Sequence, residues 1–231
     1  MKNTLIVMGN GPSLRNVDFK DLDVCDTFGL NGAYRGYEKI GWYPTYHGSF
    51  DELSLENYEQ DFVDLIESGN IQRHFYRKNI SNNPRFQYIN MHRYGVQKTI
   101  NRSPEDFKSF TDTGNSGTNA CSIGICLGYK RILLVGVDVN YVERIQESFE
   151  VRPGWLGIKK QPEKNPNYWF DDYQRPGDIY NLPRVDQFLK PTWRNFAVEA
   201  KNLGVTILNC SPISELDCFE KVDLKKALSS S

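Results

Sequence analysis

Long apolar runs are missing from this 231-residue chain: none approaches the ~20 residues a membrane helix needs. The opening Met1-Lys2-Asn3 leads straight into Thr4–Met8, too short for a signal-peptide core and followed by no small-residue cleavage site. That stretch reads as a first β-strand, and the chain as a cytoplasmic protein. Cysteine is scarce and badly spaced for chemistry. Cys25, Cys121, Cys126, Cys210 and Cys218 are odd in number, far apart and without a C-x-x-C pair. This excludes a disulfide framework and a zinc site, and fits reduced, buried thiols. An excess of one charge is also absent. The 28 Lys and Arg against 29 Asp and Glu leave −1, so no global field draws the chain to nucleic acid or an anionic membrane. There is no internal repeat and no low-complexity tract, and Ser229-Ser230-Ser231 reads as a frayed or appended end.

What is plentiful is aromatic: 13 Tyr, 13 Phe and 4 Trp, which fill cores but also line sugar and base pockets. Short apolar runs bounded by turn residues predict strands at Thr4–Met8, 27–30, 131–137 and 205–209, with weaker ones at 45–49, 73–77 and 86–90. The run 131–137 is apolar on both faces, as in a sheet covered on both sides. Helical periodicity predicts helices at 52–68, at 116–127 ending in Gly128, and at 191–203 ending in Gly204. This alternation implies an α/β fold: a single Rossmann-like domain over 1–231, its sheet mostly parallel with right-handed crossovers. Segment 140–191 breaks the rhythm. It carries Trp155, Tyr168, Trp169, Phe170, Tyr173 and Tyr180 with little periodicity, and reads as an irregular aromatic-rich lid or a packed insertion.

Strand ends carry the candidate chemistry. Gly9-Asn10-Gly11-Pro12-Ser13-Leu14 follows the first strand. It is not the dinucleotide fingerprint, whose third glycine would fall at Leu14, and no Gly-Lys-Ser/Thr makes it a Walker loop. Its two glycines permit close approach of a ligand, or simply a tight turn. Around Gly114, the loop Asn115-Ser116-Gly117-Thr118 opens a helix of small residues. Its N–H groups suit a phosphate or carboxylate, or serve as an ordinary cap. Asn31 ends the second strand, His47 and Asp51 the third, and Asp138, Asn140 and Tyr141 follow the most apolar one. All should gather along one edge of the sheet.

In this order, Gly9-Asn-Gly-Pro-Ser-Leu14, Asn31, Asn115-Ser-Gly117, Leu127-Gly-Tyr-Lys130 and Gly136-Val-Asp138 resemble the bacterial sialyltransferases of glycosyltransferase family 42. They also resemble the MptE-like domain superfamily. Phe170-Asp-Asp-Tyr173, Asn209-Cys-Ser-Pro212 and Phe219-Glu-Lys-Val-Asp223 are closer to the second group. The resemblance implies a Rossmann-like fold binding a nucleotide-activated sugar, cytidine monophosphate (CMP)-linked in the sialyltransferases. It implies that Asn10, Ser13, Asn31, Ser116 and Gly117 bind the donor, with Asn140 or Tyr141 donating to the leaving phosphate; the strand-end reading adds Gly9, Gly11, Asp51, Asn115, Thr118 and Asp138 to that site. Two positions depart from it. An arginine expected near the helix-opening loop is Thr113, and 183–187, where a base histidine is expected, contains none.

The resulting expectation is a glycosyltransferase that moves a CMP-linked acidic sugar to a glycan or lipid-linked glycan, with no obligatory cofactor. Such transfer needs a base, donors for the leaving phosphate and exclusion of water. Asp186, His47 and Asp51 are the base candidates, and Tyr141 with the 115–118 loop serves the phosphate. His74 falls inside a strand and reads as structural; His92, with Arg93, reads as acceptor-side or surface. The alternative is a Mg²⁺-dependent pyrophosphokinase acting on a pterin alcohol, with Asp171-Asp172 as metal ligands rather than solvated loop charge. A non-catalytic nucleotide-binding relative is a third reading. The run 72–78 interleaves basic and aromatic residues but also fits a strand, so it argues for no nucleic-acid partner. Its charge is compatible with an anionic glycan or peripheral membrane contact.

Overall fold

The computed structural model describes residues 3–92 and 101–229. Arg93 and Ser230-Ser231 lie outside the described residues. The elements in chain order are β1 (Thr4–Met8), β2 (Asp26–Leu30), α1 (Tyr34–Ile40), β3 (Tyr46–Ser49), α2 (Glu52–Asn57) and α3 (Glu59–Glu67). Then come β4 (Arg73–Tyr76), β5 (Phe86–Tyr88), β6 (Met91–His92), β7 (Phe110–Thr111), α4 (Ser116–Cys126) and β8 (Arg131–Val135). The rest are β9 (Ser148–Arg152), β10 (Trp155–Ile158), β11 (Ile179–Asn181), α5 (Lys190–Asn202), β12 (Thr206–Asn209), β13 (Glu220–Lys221) and α6 (Leu224–Ser229).

Eight strands form one sheet in the order β13-β12-β8-β1-β2-β3-β4-β5. Every neighbouring pair in it is parallel. The α/β, Rossmann-like expectation holds. Strand alternation sorts the apolar runs into two cores. Leu5, Val7, Ile132 and Leu134 point to one face, against Ala120, Cys121 and Ile123 of α4 and Trp193, Phe196 and Ala200 of α5. Ile6, Met8, Leu133 and Val135 point to the other, against Leu14, Leu22, Trp42, Trp169 and Ala227. Burial of each such side chain contributes about 1.5–3 kcal/mol. The small residues of α4 let it lie close on β1: a Cβ on Gly124 would stand 2.5 Å from Leu5 Cδ2.

The strand order sets the site. From β1 the chain steps outward through β2 to β5. It then returns to place β8 on the other side of β1, and β12 and β13 beyond. The order reverses between β1 and β8, and open α/β sheets bind ligands in the crevice past the strand ends at such a point. Here Gly9 N donates to Val135 O at 2.8 Å and Gly11 N to Gly136 O at 2.8 Å.

Three sequence expectations are corrected. The helix 52–68 is two helices, broken at Tyr58 (φ −128°, ψ 29°), whose hydroxyl bonds Asp178 and whose ring lies under the Arg35 guanidinium at 4.4 Å. The helix at 191–203 begins one residue earlier and is preceded by a π-turn, Val185–Leu189. Segment 140–191 is not irregular throughout: β9, β10 and β11 form an antiparallel sheet. Its β9 is exposed along most of its length, so its alternation carries no core signal. The segment is tied to the body by charge. Arg15 bonds Asp171 at 2.8 Å, Lys39 pairs with Asp172, and buried Arg35 reaches Asp178 at 2.6 Å. Trp169 anchors it in the second core, and its backbone N–H donates to Asn10 O at 3.1 Å.

Gly11 lies at extended φ −69° and ψ 160°, so its lack of a side chain serves space rather than backbone freedom. A Cβ there would fall 2.3 Å from Asp138 Oδ2. Gly11→Ala is expected to lower the unfolding free energy by about 1–3 kcal/mol through overpacking, read from urea denaturation. A wild-type midpoint would contradict the close packing.

Candidate functional site

A cleft of about 550 Å³ opens at the reversal point, walled by the ends of β1, β2, β3 and β8, the start of α4 and segment 140–191. Its floor is fastened by Asp138. Ser13 donates its N–H to Oδ2 at 2.8 Å and its hydroxyl to Oδ1 at 2.6 Å. Burial pushes the Asp138 carboxyl up, and the two Ser13 bonds pull it back down.

Asn10 is nine-tenths buried. Its Nδ2 donates to Leu30 O at 3.0 Å and to Tyr173 Oη at 3.1 Å, while Oδ1 has no partner. Across the same cleft wall, Asn115 caps α4: its Oδ1 accepts from Thr118 N at 3.0 Å, and its buried Nδ2 has no partner. Both residues line the cavity, while the two unpaired atoms themselves are turned away from solvent. A buried polar atom left unpaired costs about 1–3 kcal/mol.

Asn31 joins the two sides. It ends β2 in the left-handed region at φ 50°, and its Nδ2 donates to Ser116 Oγ at 3.2 Å. His47, fully buried, supports it from beneath. The Asn31 carbonyl can only accept, so His47 Nε2, 3.0 Å away, carries the proton. His47 Nδ1 then accepts from Tyr76 Oη at 3.0 Å, and Tyr76 accepts from His74 Nδ1 at 3.0 Å. This one-way chain ends at His74 Nε2, which has no partner. Burial, then the neighbouring His74, pushes the His47 pKa down to about 3, although its bond to Asn31 opposes the shift. Burial and Arg85 push His74 down to about 4.

The remaining wall is acidic. Asp51, Glu52, Asp112, Asp138 and Glu143 face one cation among the described lining residues, Arg77. Arg77 pairs with Glu52 at 2.8 Å and donates to Phe50 O at 3.1 Å. Asp51 caps α2, accepting from Leu53 N at 3.1 Å and Ser54 Oγ at 3.2 Å; burial outweighs these bonds and raises its carboxyl. Tyr141 also lines the cleft, its phenol pushed up to about 12 by burial and then by Asp138.

Of the residues expected here, Gly9, Asn10, Asn31, Asp51, Asn115, Ser116, Gly117, Asp138 and Tyr141 come together on the wall. Gly11, Ser13, Thr118, Asn140, His47 and Asp186 do not. The Ser13 hydroxyl is spent on Asp138, and Thr118 is fully buried within the turn below the loop. His47 is an internal support without access to the cleft. Asp186 points outward, 82% exposed, to Lys190 at 2.8 Å. Asp171 and Asp172 diverge to Arg15 and Lys39 rather than converging as metal ligands. His74 is structural, as expected. His92 lies on β6. The run 72–78 is divided: its centre is buried in β4, Lys78 pairs with Glu59, and Arg77 enters the cleft. Missed beforehand were Arg77, Phe188 and Trp193. Arg77 follows β4 as Asp51 follows β3, a strand-end signal hidden inside a run read as basic surface.

The parallel α/β architecture is a sialyltransferase-like fold. Among solved structures, the sialyltransferase CstII from Campylobacter jejuni in complex with the substrate analogue cytidine-5'-monophosphate is 18% identical. That match covers 95% of this chain and 84% of that one, at a TM-score of 0.55. The same enzyme in complex with CMP-3FNeuAc is 19% identical over 96% and 86%, at 0.54. The MAf glycosyltransferase from Magnetospirillum magneticum AMB-1 is 12% identical over 96% of this chain but 34% of its own, at 0.53. No protein-family model and no curated protein sequence matches the chain. No helix among the described residues is long and apolar enough to cross a membrane.

Both internal imidazoles must stay neutral in the fold. Unfolded, each takes a proton near its ordinary pKa of about 6.5; folded, neither does until about pH 3 to 4. The unfolded state therefore binds more protons in that window, and stability is lost as pH falls through it. Urea midpoints from pH 7 to 4 are expected to decline, and Tyr76→Phe to remove about 1–3 kcal/mol at pH 7 by leaving buried imidazole nitrogens unpaired. A Tyr76→Phe protein as stable as wild type would rule out the chain.

Proposed function

We propose that this protein is a glycosyltransferase that moves a sugar from a nucleotide-activated donor, a CMP-linked acidic sugar, to a hydroxyl of a glycan or lipid-linked glycan. The observation that carries the reading is the cleft at the sheet's reversal point, where Asn10, Asn31, Asp51, Asn115 and Asp138 converge beside the N-terminus of α4. Support comes also from the ligands named for the Campylobacter structures, CMP and CMP-3FNeuAc.

The donor phosphate lies at the N-terminus of α4, where the first-turn N–H groups of Ser116 and Gly117 meet the positive end of the helix dipole. Arg77, the one cation among the described lining residues, receives the sugar carboxylate by displacing Glu52, 70% exposed, while Asp112 stays 3.8 Å from its other nitrogen. Asp51 is the base. Its raised carboxyl binds a proton more readily than an exposed aspartate, and the bonds from Leu53 and Ser54 hold it in place. Asp51 takes the acceptor hydroxyl proton as that oxygen bonds the anomeric carbon. The anomeric bond to phosphate breaks with its electron pair, and CMP leaves. Tyr141, neutral at pH 7, donates a hydrogen bond to the departing phosphate. Tyr168 and segment 140–191 keep water from the oxocarbenium-like centre. The scheme uses no metal.

CMP without Mg²⁺ is expected to raise the melting temperature; at 100 times Kd the stabilisation is about 2.7 kcal/mol. No shift at millimolar CMP would overturn the donor assignment. Asp51→Asn is expected to slow turnover of the CMP-sugar by about 10²–10⁴-fold while CMP still binds. Full turnover in that variant would remove Asp51 from the base role.

A further inference from the structure

Beside the cleft lies a second cavity of about 320 Å³. The two share Asp112, Gly114 and Phe188 as walls, so a molecule in the smaller one abuts whatever the start of α4 holds. One face of α5 forms its side: Thr192, Asn195, Phe196 and Glu199 recur at the three- and four-residue spacing that puts side chains in line. The side chains of Thr192, Asn195 and Glu199 make no hydrogen bond or ion pair among the described residues. Glu199 is half-buried with no cation beside it, and burial alone raises its carboxyl.

The junction of the two cavities is built at a conformational cost. The π-turn Val185–Leu189 interrupts the approach to α5, with Leu189 N donating to Arg184 O at 3.3 Å. Arg184 sits in the left-handed region at φ 48°. Single π-turns and strained non-glycine residues concentrate at functional sites. The product is an aromatic ring, Phe188, held 47% exposed between the two cavities.

An exposed ring beside an unpaired hydroxyl, amide and carboxylate complements a saccharide, which offers an apolar C–H face and a ring of hydroxyls. Thr192 to Glu199 spans about 10 Å along the helix, the reach of two linked sugar rings. Among the described residues no Lys or Arg lines the cavity; Asp112 on the shared wall has Arg77 3.8 Å away, so the uncompensated charge is that of Glu199. An anionic sugar would meet like charge there; an uncharged or amine-bearing one would not. We infer that this cavity is the acceptor subsite and that it selects an uncharged or amine-bearing disaccharide over an anionic one. The inference rests on the transferase reading above.

The test is calorimetric titration of the full chain with lactose, the chitosan dimer and a uronic-acid disaccharide, each with and without CMP. Lactose and the chitosan dimer are expected to bind and the uronate not to. Glu199→Gln is expected to lower the chitosan-dimer affinity, relative to lactose, about tenfold, the loss of one charge-assisted bond. Because that is a ratio within one protein, partial unfolding does not imitate it. Phe188→Ala, at an exposed position, is expected to weaken both sugars. Uronate binding equal to lactose, no sugar binding at millimolar concentration, or an unchanged ratio in Glu199→Gln would each overturn the inference. Sugar binding without any CMP binding would support the saccharide subsite and overturn the donor assignment alone.

Discussion

The Asp138 carboxylate, reaching from the end of β8 to the Ser13 hydroxyl and N–H beyond β1, fixes the distance on which the rest of the site depends. β1 and β8 are the pair at which strand order reverses; two backbone bonds, Gly9 to Val135 and Gly11 to Gly136, carry the ladder into their loops, and one side chain then locks the loops together. Asp138 does so at close quarters: Gly11 has no room for a methyl group beside it. With the loops clasped, Asn10 is held between the Leu30 carbonyl and Tyr173, and its side-chain oxygen is the group left over. A carboxylate that by type belonged among ligand-binding residues thus acts mainly as a fastener.

Two other polar devices repeat that logic. The imidazole–phenol–imidazole chain runs beneath β2, β3 and β4 and delivers one N–H to the Asn31 carbonyl, at a residue in left-handed geometry. Neutral imidazoles suit this role, since a charged one would be costly to bury. The second device is the charge set that holds segment 140–191. Arg35 is almost fully buried between Asp178, the Tyr173 carbonyl and the Tyr58 ring. Removing one partner of such a pair costs about 3–5 kcal/mol, far more than the surface pairs of Arg15 or Lys39 with the same segment. The aromatic stack of Tyr168 on Tyr173, 3.8 Å between ring centroids, is therefore held over the cleft by a charge inside the protein.

The sheet was legible in the sequence because its strands are covered on both faces. Runs such as Ile132–Leu133–Leu134 have no competing pattern, and their flanking glycines mark the ends. Segment 140–191 was not legible, because β9 is exposed, β10 and β11 are short, and its cohesion comes from ion pairs between residues far apart in the chain. The same limit applies to the base candidates. His47 and Asp51 end the same strand, and no local feature says that one faces inward to Tyr76 and the other the cleft. Asp186 differs: Lys190, one helical turn on, is a local partner at the spacing of a solvated pair, and it holds the carboxylate outward.

What the sequence determined by itself was seven of the eight strands of the main sheet, the parallel α/β class and the strand ends at which polar residues collect. Each follows from hydrophobic period and turn chemistry acting over a few residues. Tertiary structure alone decided which of those polar groups stay free. Ser13 and His47 are consumed by partners that only folding brings near, while Asn10 Oδ1 and Asn115 Nδ2 are left over. The physical reason is that hydrogen-bond satisfaction is a property of neighbours in space, and no spacing along the chain specifies it.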